Sequence, residues 1–226
     1  MRKKQALKIM VDMAMLILLF LLMSRHITGN LPHEWLGMGI FSLFIIHHVL
    51  NISWWKHIGK GHYSLFRKVQ TALDMLILAD MLAMMISSIL CSQYVFSSLH
   101  IGGTMLGRTI HLAGSYWGFV FLAFHLGLHF PMFAGMARKR FGTEKYAVIG
   151  KVFRLLFFLA ALYGVVAFIQ RDLWRYMFLL THFAFFDYEE PIVFFLLDYL
   201  AIAITFAFIG SRIAEWVVRP MPEKKM

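Results

Sequence analysis

HEWLGMGIFSLFIIHHVLNISWW is an apolar stretch of helical length at residues 33–55, and it begins with a histidine. A second histidine, His47, follows His33 by 14 residues. In an α-helix, 14 residues make just under four turns, so the two side chains lie within about 40° of one face and about 21 Å apart along the axis. The stretch therefore predicts a helix with two stacked imidazoles on one side.

A second stretch repeats this pattern. HLAGSYWGFVFLAFHLGLHF, at residues 111–130, also begins with a histidine and carries another 14 residues later, at His111 and His125. Ionisable side chains inside apolar spans usually have a function, and an identical spacing in two helices is hard to obtain by chance. Two such helices side by side could hold two metal centres, one above the other.

The composition places these helices in a membrane. The chain has 226 residues, of which 60% are hydrophobic and 15% charged, and its mean hydropathy is +0.70. These values exclude a soluble globular or disordered chain and predict an all-α, polytopic helical bundle in the lipid bilayer. Six apolar runs are long enough, or nearly so, to cross about 30 Å of hydrocarbon. They cover residues 9–23, 35–55, 72–91, 110–135, 155–169 and 192–210.

The basic residues orient these six transmembrane helices. If all six are real, only four of the 22 Lys and Arg residues fall on one side of the membrane: Arg25, Arg108, Arg171 and Arg175. By the positive-inside rule the other side is cytoplasmic, and both termini lie there. The formal charge of +10 therefore reflects topology and lipid contact, and no nucleic-acid partner is expected.

This topology makes the second and fourth spans parallel. Each histidine of one span then lies at the same depth in the membrane as a histidine of the other. His33 and His111 form an outer level, and His47 and His125 form an inner level nearer the cytoplasm. A ring nitrogen from each of two facing helices is the axial ligation of a low-spin b-type haem, which exchanges electrons and does not readily bind a substrate. Residues 1–135 are thus predicted to form a four-helix core for two b haems. His48 and His129 are alternates, because a modest helix rotation would exchange either with its neighbour.

Other side chains could serve these sites. Four glycines could give the macrocycles room: Gly37, Gly39, Gly114 and Gly118. Arg25 and Arg108 on the outer side, and Lys56 on the inner side, could pair with haem propionates, although charge at the ends of spans explains them equally well. Asn51, one turn after His47, could hold the second ring nitrogen of that ligand.

Four aspartates lie within or near the spans, where an unpaired carboxylate is costly: Asp12, Asp74, Asp80 and Asp198. Asp80 and Asp198 are predicted to be the deepest, and either a proton or quinone contact or a structural polar pair would explain them. The lone cysteine, Cys91, excludes an internal disulfide, c-type haem attachment and a four-cysteine iron–sulfur site within the chain.

The motifs HEWLG and HHVLN-x-x-WW near His33 and His47, with HLGLH after His125, resemble the bacterial flavinylation-associated cytochromes. The paired histidine helices also resemble the haem core of the respiratory cytochrome b family. The resemblance implies two b haems, transmembrane electron transfer in a bacterial inner membrane, and an extracytoplasmic redox partner such as a flavoprotein. A quinone partner stays open, since no counterpart of the long quinone-site loop of cytochrome b is present.

Residues 136–226 lie outside this resemblance and are predicted to add two membrane helices. Between them, residues 173–186 are expected to form an interfacial helix or a re-entrant segment on the outer face. No nucleotide-binding pattern occurs, so the chain is expected to be a non-catalytic electron-transfer subunit.

Two other functions remain open. A metal-dependent membrane oxygenase or desaturase would use His47, His48, His125 and His129, and would leave His33 and His111 without a role. A transporter for protons or a soft metal would use the 16 methionines and the buried aspartates.

Overall fold

The computed structural model describes residues 3–99, 101, 103–185, 187 and 189–218, and these residues form helices and no strand. The helices are α1 (Lys3–Met23), α2 (Arg25–Thr28), α3 (Asn30–Leu50), α4 (Ile52–His57), α5 (Leu65–Cys91), α6 (Met105–Leu128), α7 (Phe130–Phe141), α8 (Thr143–Gln170), α9 (Leu173–Met177) and α10 (Ile192–Val218). A 3₁₀ turn covers Ser97–Leu99. Gly102 of the predicted loop before the fourth span, and the terminal basic residues Arg2, Arg219, Lys224 and Lys225, lie outside the described residues.

Four helices are long and apolar enough to cross a membrane: α1, α5, Ile149–Gln170 of α8, and α10. A fifth span results if α6 and α7, which meet at an angle of 41°, are counted as one. The chain is therefore an all-helical, multi-pass membrane protein by the length and composition of its helices. The helix α3 has 21 residues but is not among the four, because His33, Glu34, His47 and His48 lower its hydropathy.

Two predicted spans are interrupted. The run at residues 35–55 breaks at Asn51, which separates α3 from α4 and has a non-helical backbone (φ −104°, ψ 20°). The run at residues 110–135 breaks at His129, just before Pro131 in the first turn of α7. A proline lacks the N–H that would continue the preceding helix, and its ring collides with the carbonyl four residues earlier, so the bend at this point is expected.

The chain divides into two compact units. The first contains Met1–Gly61, Leu78–Gly118 and Asp172–Leu197, and the second contains His62–Ile77, Phe119–Arg171 and Asp198–Met226. The helices α5 and α6 each contribute one end to each unit. In the first unit, α1 packs along α3.

In the second unit, α8 and α10 approach each other closely through small residues. A Cβ atom on Gly164 would collide with the backbone of Ala201, and the Thr205 hydroxyl donates to the Ala161 carbonyl at 2.8 Å. Close backbone approach at small residues, with a hydroxyl bonded across the interface, is typical of helix packing in membranes.

The predicted interfacial segment is mostly not helical. Only α9 is a helix, and the chain from Phe178 to Phe185 runs in turns and bends. Leu173, Tyr176 and Met177 are buried in the first unit, where the Tyr176 ring stacks on Tyr116 with centroids 4.8 Å apart.

Candidate functional site

The structure brings His33 and His111 together in the first unit. Their ring centroids lie 6.2 Å apart, with the two ring planes inclined at 72°. Two imidazoles that bind one metal ion from opposite sides, with metal–nitrogen bonds of about 2 Å, have their centroids roughly 6 Å apart. The separation of the two rings is therefore that of a pair of axial ligands.

One ring nitrogen of His111 lies against two hydroxyl groups of α5. Its Nδ1 atom lies 3.4 Å from the Ser87 hydroxyl and 3.3 Å from the Ser88 hydroxyl. Ser87 already donates its only hydroxyl proton to the Met84 carbonyl at 3.0 Å, so it can only accept from the ring. The two serines therefore hold the Nδ1 edge of the ring of His111, which leaves Nε2 for a metal.

The ring of His33 is partly buried and lies near the backbone of Leu22. Among the described residues, Nδ1 of His33 has no hydrogen-bonding partner although it is buried. A buried, unpaired nitrogen costs free energy of about 1–3 kcal/mol unless something binds to it. A metal ion held between the two rings would satisfy this atom, and the facing pair of rings is the part of the arrangement that fits a haem at the outer level.

His47 is held by a carboxylate from another helix. Its Nδ1 atom lies 2.7 Å from Oδ1 of Asp12 on α1. A carboxylate only accepts hydrogen bonds, so Nδ1 donates to it and Nε2 keeps its lone pair. A carboxylate bonded to the far nitrogen in this way is the usual support of a metal-binding histidine.

The predicted role of Asn51 is wrong. Its side-chain amide donates to the backbone carbonyl of His47 at 2.9 Å, and its oxygen accepts from the Lys8 ammonium at 2.6 Å. An asparagine one turn after a residue competes for that residue's carbonyl, which here ends α3. Asn51 therefore ties α3 to α1 and leaves the ring of His47 to Asp12.

His125, in the second unit, makes the equivalent contact. Its Nδ1 lies 2.9 Å from Oδ1 of Asp74 on α5, at angles that do not complete a hydrogen bond. The ring and the carboxylate therefore lie next to each other without a hydrogen bond between them. His47 and His125 belong to different units.

The alternate His48 is turned into an aromatic cluster. Its ring lies 4.4 Å from Phe44 and 5.5 Å from Trp55, centroid to centroid, and its Nδ1 accepts a hydrogen bond from Trp55 Nε1 at 3.2 Å. A neutral ring that accepts at Nδ1 carries its proton on Nε2 and offers a metal no lone pair. This contact favours His47 over His48 as the ligand. The other alternate, His129, packs against His125 with centroids 4.7 Å apart.

The predicted propionate partners lie at exposed positions. Arg25 is bonded to the Asn30 side chain at 2.9 and 3.0 Å, and it is close enough to His33 and His111 to act on both electrostatically. Arg108 and Lys56 are exposed. Arg25 is thus the cation that the structure connects most directly with the outer level.

The glycines expected to make room are mostly in contact with side chains. Gly114 and Gly118 face Met84 and Asp80 of α5, and Gly39 faces Leu18 of α1. Only Gly37 has open space: among the described residues, nothing lies within 4 Å of the position of its Cβ.

The remaining aspartates differ in their surroundings. Asp198 accepts from the Tyr163 hydroxyl at 2.5 Å and pairs with Arg171 at 2.7 Å, so it is a structural polar pair between helices. Asp80 has a buried Oδ2 with no hydrogen-bonding partner in the described part of the chain. That part also contains no group of three or more His, Cys, Asp or Glu side chains arranged to hold a metal ion.

Three supporting residues were not predicted from the sequence. Ser87 and Ser88 follow each other on α5 and hold His111, and Glu34 fixes the chain beyond α5. The sequence did offer a signal for Glu34, because it is a single acidic residue that stands directly after His33 at the start of an apolar run.

No family model, curated protein or solved structure matches the chain. The resemblance to flavinylation-associated cytochromes therefore stays a prediction.

Proposed function

We propose that the protein is a b-type membrane cytochrome that transfers electrons across the bilayer as a subunit of a redox complex. The observation that carries this proposal is the outer histidine pair. His33 and His111 stand at the separation of two axial ligands, and a buried nitrogen of His33 lacks a partner among the described residues. Two side chains, one from each of two helices, suffice for haem ligation.

The proposal assigns His33 and His111 to an outer haem and His47 and His125 to an inner haem. The inner assignment rests on the repeated 14-residue spacing and on the aspartate that each histidine contacts within its own unit. Haem iron supplies one-electron chemistry, and the axial histidines keep its coordination full. The protein holds the rings, supports their far nitrogens, and excludes water through its apolar helices. Arg25 and Arg108 are the proposed propionate partners of the outer haem.

The proposed topology has six spans and cytoplasmic termini, with α3 as the second span. The distribution of basic residues supports the direction of the spans, and four to five helices are long and apolar enough to be among the six. The outer haem then lies near the extracytoplasmic face of a bacterial inner membrane. A flavin-bearing protein on that face, and a quinone as the second redox partner, complete the proposed electron path.

A reduced-minus-oxidised optical spectrum of the purified protein tests this function. We expect a b-type α-band, and a pyridine haemochrome assay should give about two haems per chain. His33→Ala and His111→Ala should each lose about half of this haem. His182→Ala, a substitution of an exposed loop histidine, is the matched control and should keep all of it. A protein without haem that instead carries stoichiometric iron or zinc would overturn the proposal.

A further inference from the structure

The carboxyl group of Asp80 lies near the middle of α5, one of the helices that are long and apolar enough to cross a membrane. Its Oδ2 atom is buried, and within the described part of the chain the side chain has neither a hydrogen-bonding partner nor an ion-pair partner. An unpaired carboxylate in such a place is costly, and it is stabilised when it binds a proton or a cation.

The other aspartates of the spans differ from Asp80, because each of them has a basic neighbour. A basic neighbour offsets the negative charge of a carboxylate without a bound proton or cation. The three pairs are Asp12 with His47, Asp74 with His125, and Asp198 with Arg171. In the described structure Asp80 lacks such a neighbour, so its charge must be offset in another way.

Two glycines of α6 form a notch that receives the Asp80 carboxyl. A Cβ atom on Gly118 would collide with Oδ2, and one on Gly114 would lie 3.2 Å from Oδ1. The thioether of Met84, which is a soft and weak ligand, lies against Gly114 as well. No group of three or more His, Cys, Asp or Glu side chains in the described residues is arranged for a metal ion. The notch therefore suits a neutral, protonated carboxyl better than a carboxylate with a bound metal.

The notch lies on the same face of α6 as His111. Gly114 and Gly118 follow His111 by three and seven residues, so Asp80 lies about 5–10 Å from the level of that ring along the helix axis. All of these residues belong to the first unit. A charge at the outer histidine pair therefore acts on Asp80 through a short stretch of apolar helix.

Few other ionisable groups compete with this influence. Within the first unit, the ionisable side chains of α5 and α6 besides Asp80 are Cys91, Arg108, His111 and Tyr116. Cys91 is the last residue of α5, and Arg108 is exposed in the first turn of α6. The ring of Tyr116 stacks on Tyr176. The outer pair is thus the place on these two helices where a change of charge would affect Asp80 most.

We propose that Asp80 is a proton-binding site of the membrane interior, and that its proton is linked to the electron at the outer histidine pair. A positive charge at His33 and His111 favours the ionised carboxylate, and loss of that charge favours the neutral acid. The oxidised state of the proposed haem carries one more positive charge than the reduced state, so reduction should draw a proton to Asp80. The link rests on the proposed function, whereas the proton site does not.

The linked step balances with one electron and one proton. A redox partner supplies the electron to the outer site. The surrounding water supplies the proton, which forms an O–H bond with a carboxylate oxygen of Asp80, and no other bond forms or breaks. The net charge of the first unit then stays the same, which lowers the electrostatic cost of adding an electron in a medium of low dielectric.

Infrared difference spectroscopy between acidic and alkaline samples tests the proton site, with or without haem. We expect the carbonyl band of a protonated carboxylic acid to persist at neutral pH in the wild type and to be missing in Asp80→Asn. Asp187→Asn, which removes an exposed carboxyl of the first unit, is the matched control and should keep the band. Gly118→Ala retains the carboxyl but fills the notch, so it should shift or weaken the band.

A potentiometric titration of the outer haem at several pH values tests the link. The outer haem is identified by its loss in His33→Ala. Its midpoint should fall from an acid plateau to an alkaline plateau, because the ionised carboxylate favours the oxidised state. A unit charge about 10 Å away, at an effective dielectric constant of about 20, changes such an equilibrium on the order of tenfold. A tenfold change corresponds to 59 mV for one electron.

The variants give this titration its controls. Asp80→Asn imitates the neutral acid and should keep the acid-plateau midpoint at every pH, whereas Asp187→Asn should behave as the wild type does. The reduced-minus-oxidised infrared spectrum of the wild type should gain the band that Asp80→Asn lacks. If Asp80→Asn does not fold, Gly118→Ala should still narrow the difference between the two plateaus, and an unchanged difference there would contradict the link.

The outcomes separate the two proposals. A carboxylic acid band that is absent from the wild type at neutral pH overturns the proton site, whether or not haem is bound. The band together with a midpoint that does not change with pH, or that changes equally in Asp80→Asn, overturns the link and leaves the cytochrome intact. The band in a protein without haem overturns the proposed function and the link, and supports the proton site.

Discussion

The carboxylate of Glu34 accepts a hydrogen bond of 2.7 Å from the hydroxyl of Ser92, 58 residues further along the chain. The same carboxylate accepts from the backbone N–H groups of Gln93, Tyr94 and Val95 at 2.8–3.1 Å. These bonds fix the start of α3, where His33 lies, to the segment that follows α5. A single acidic side chain therefore connects the helix of one proposed ligand to the helix that supports the other.

Replacement of Glu34 should loosen this connection. Hydrogen bonds to charged groups contribute about 1.5–3 kcal/mol each when buried, and Glu34 is partly exposed. We expect Glu34→Ala to lower the free energy of unfolding by about 2 kcal/mol in all. Glu215→Gln, which removes an exposed ion pair with Arg212, is the control and should cost less than about 1 kcal/mol. Unfolding in detergent, followed by circular dichroism, measures both, and equal losses would contradict the role of Glu34.

The Glu34 connection should also fail in acid. Partial burial raises the pKa of this carboxyl, but the hydrogen bonds from Gln93, Val95, Ser92 and Tyr94 lower it more, so it lies below the ordinary glutamate value. The stabilisation is therefore complete above the ordinary pKa and is lost as the pH falls through the lower, folded-state pKa. We expect the stability difference between the wild type and Glu34→Gln to be constant near neutrality and to shrink in acid. A difference that grows on acidification would contradict this assignment.

A side chain at Gly118 should displace the carboxylate of Asp80. A Cβ atom at Gly118 would collide with Oδ2 of Asp80, whereas the Cβ position of Gly37 is open within the described structure. Gly118→Ala should cost about 1–2 kcal/mol through overpacking. Gly37→Ala should be neutral or stabilising in the haem-free protein, by at most about 1 kcal/mol, since alanine favours a helix. In an Asp80→Ala background the cost of Gly118→Ala should largely vanish, and a cost that persists there would rule out the carboxylate as the cause.

The ion pair of Asp198 with Arg171 should be the most sensitive polar contact of the second unit. Both side chains are mostly buried, and the Tyr163 hydroxyl adds a hydrogen bond to the same carboxylate. Asp198→Asn leaves the arginine without its counter-charge and should cost about 3 kcal/mol. Tyr163→Phe should cost about 1 kcal/mol, because the pair survives. Thermal unfolding of the two variants measures the order, and a reversed order would show that the tyrosine is the main partner.

Much of the helical layout was predictable because it depends on local composition. Long apolar runs predicted the membrane helices, and four to five of the six predicted spans have matching helices. The interruptions at Asn51 and Pro131 were missed because hydropathy is averaged over a window. Such an average does not register a single residue that breaks the backbone hydrogen bonds of a helix.

Some contacts of the candidate site were also predictable from the sequence, and others were not. The level pairing of His33 with His111 followed from helix periodicity and the direction of the spans, which sequence carries directly. The aspartate partners did not follow, because Asp12 is 35 residues from His47 and only the packing of α1 on α3 brings them together. Asn51 was chosen for its nearness in sequence, but a side chain one turn away reaches the backbone of its own helix more easily than a ring.

Asp12 also has a consequence for how the protein is made. The carboxylate enters the membrane with α1 before α3 has docked beside it, and an aspartate in an inserted helix costs about 3 kcal/mol on the scale of the insertion machinery. The arrival of α3 supplies the imidazole that offsets this cost. The first helix is apolar enough to insert by itself, but its carboxylate lacks a partner until α3 has docked, and a nascent chain stalled between the two steps would present this unpaired carboxylate to membrane proteases and chaperones.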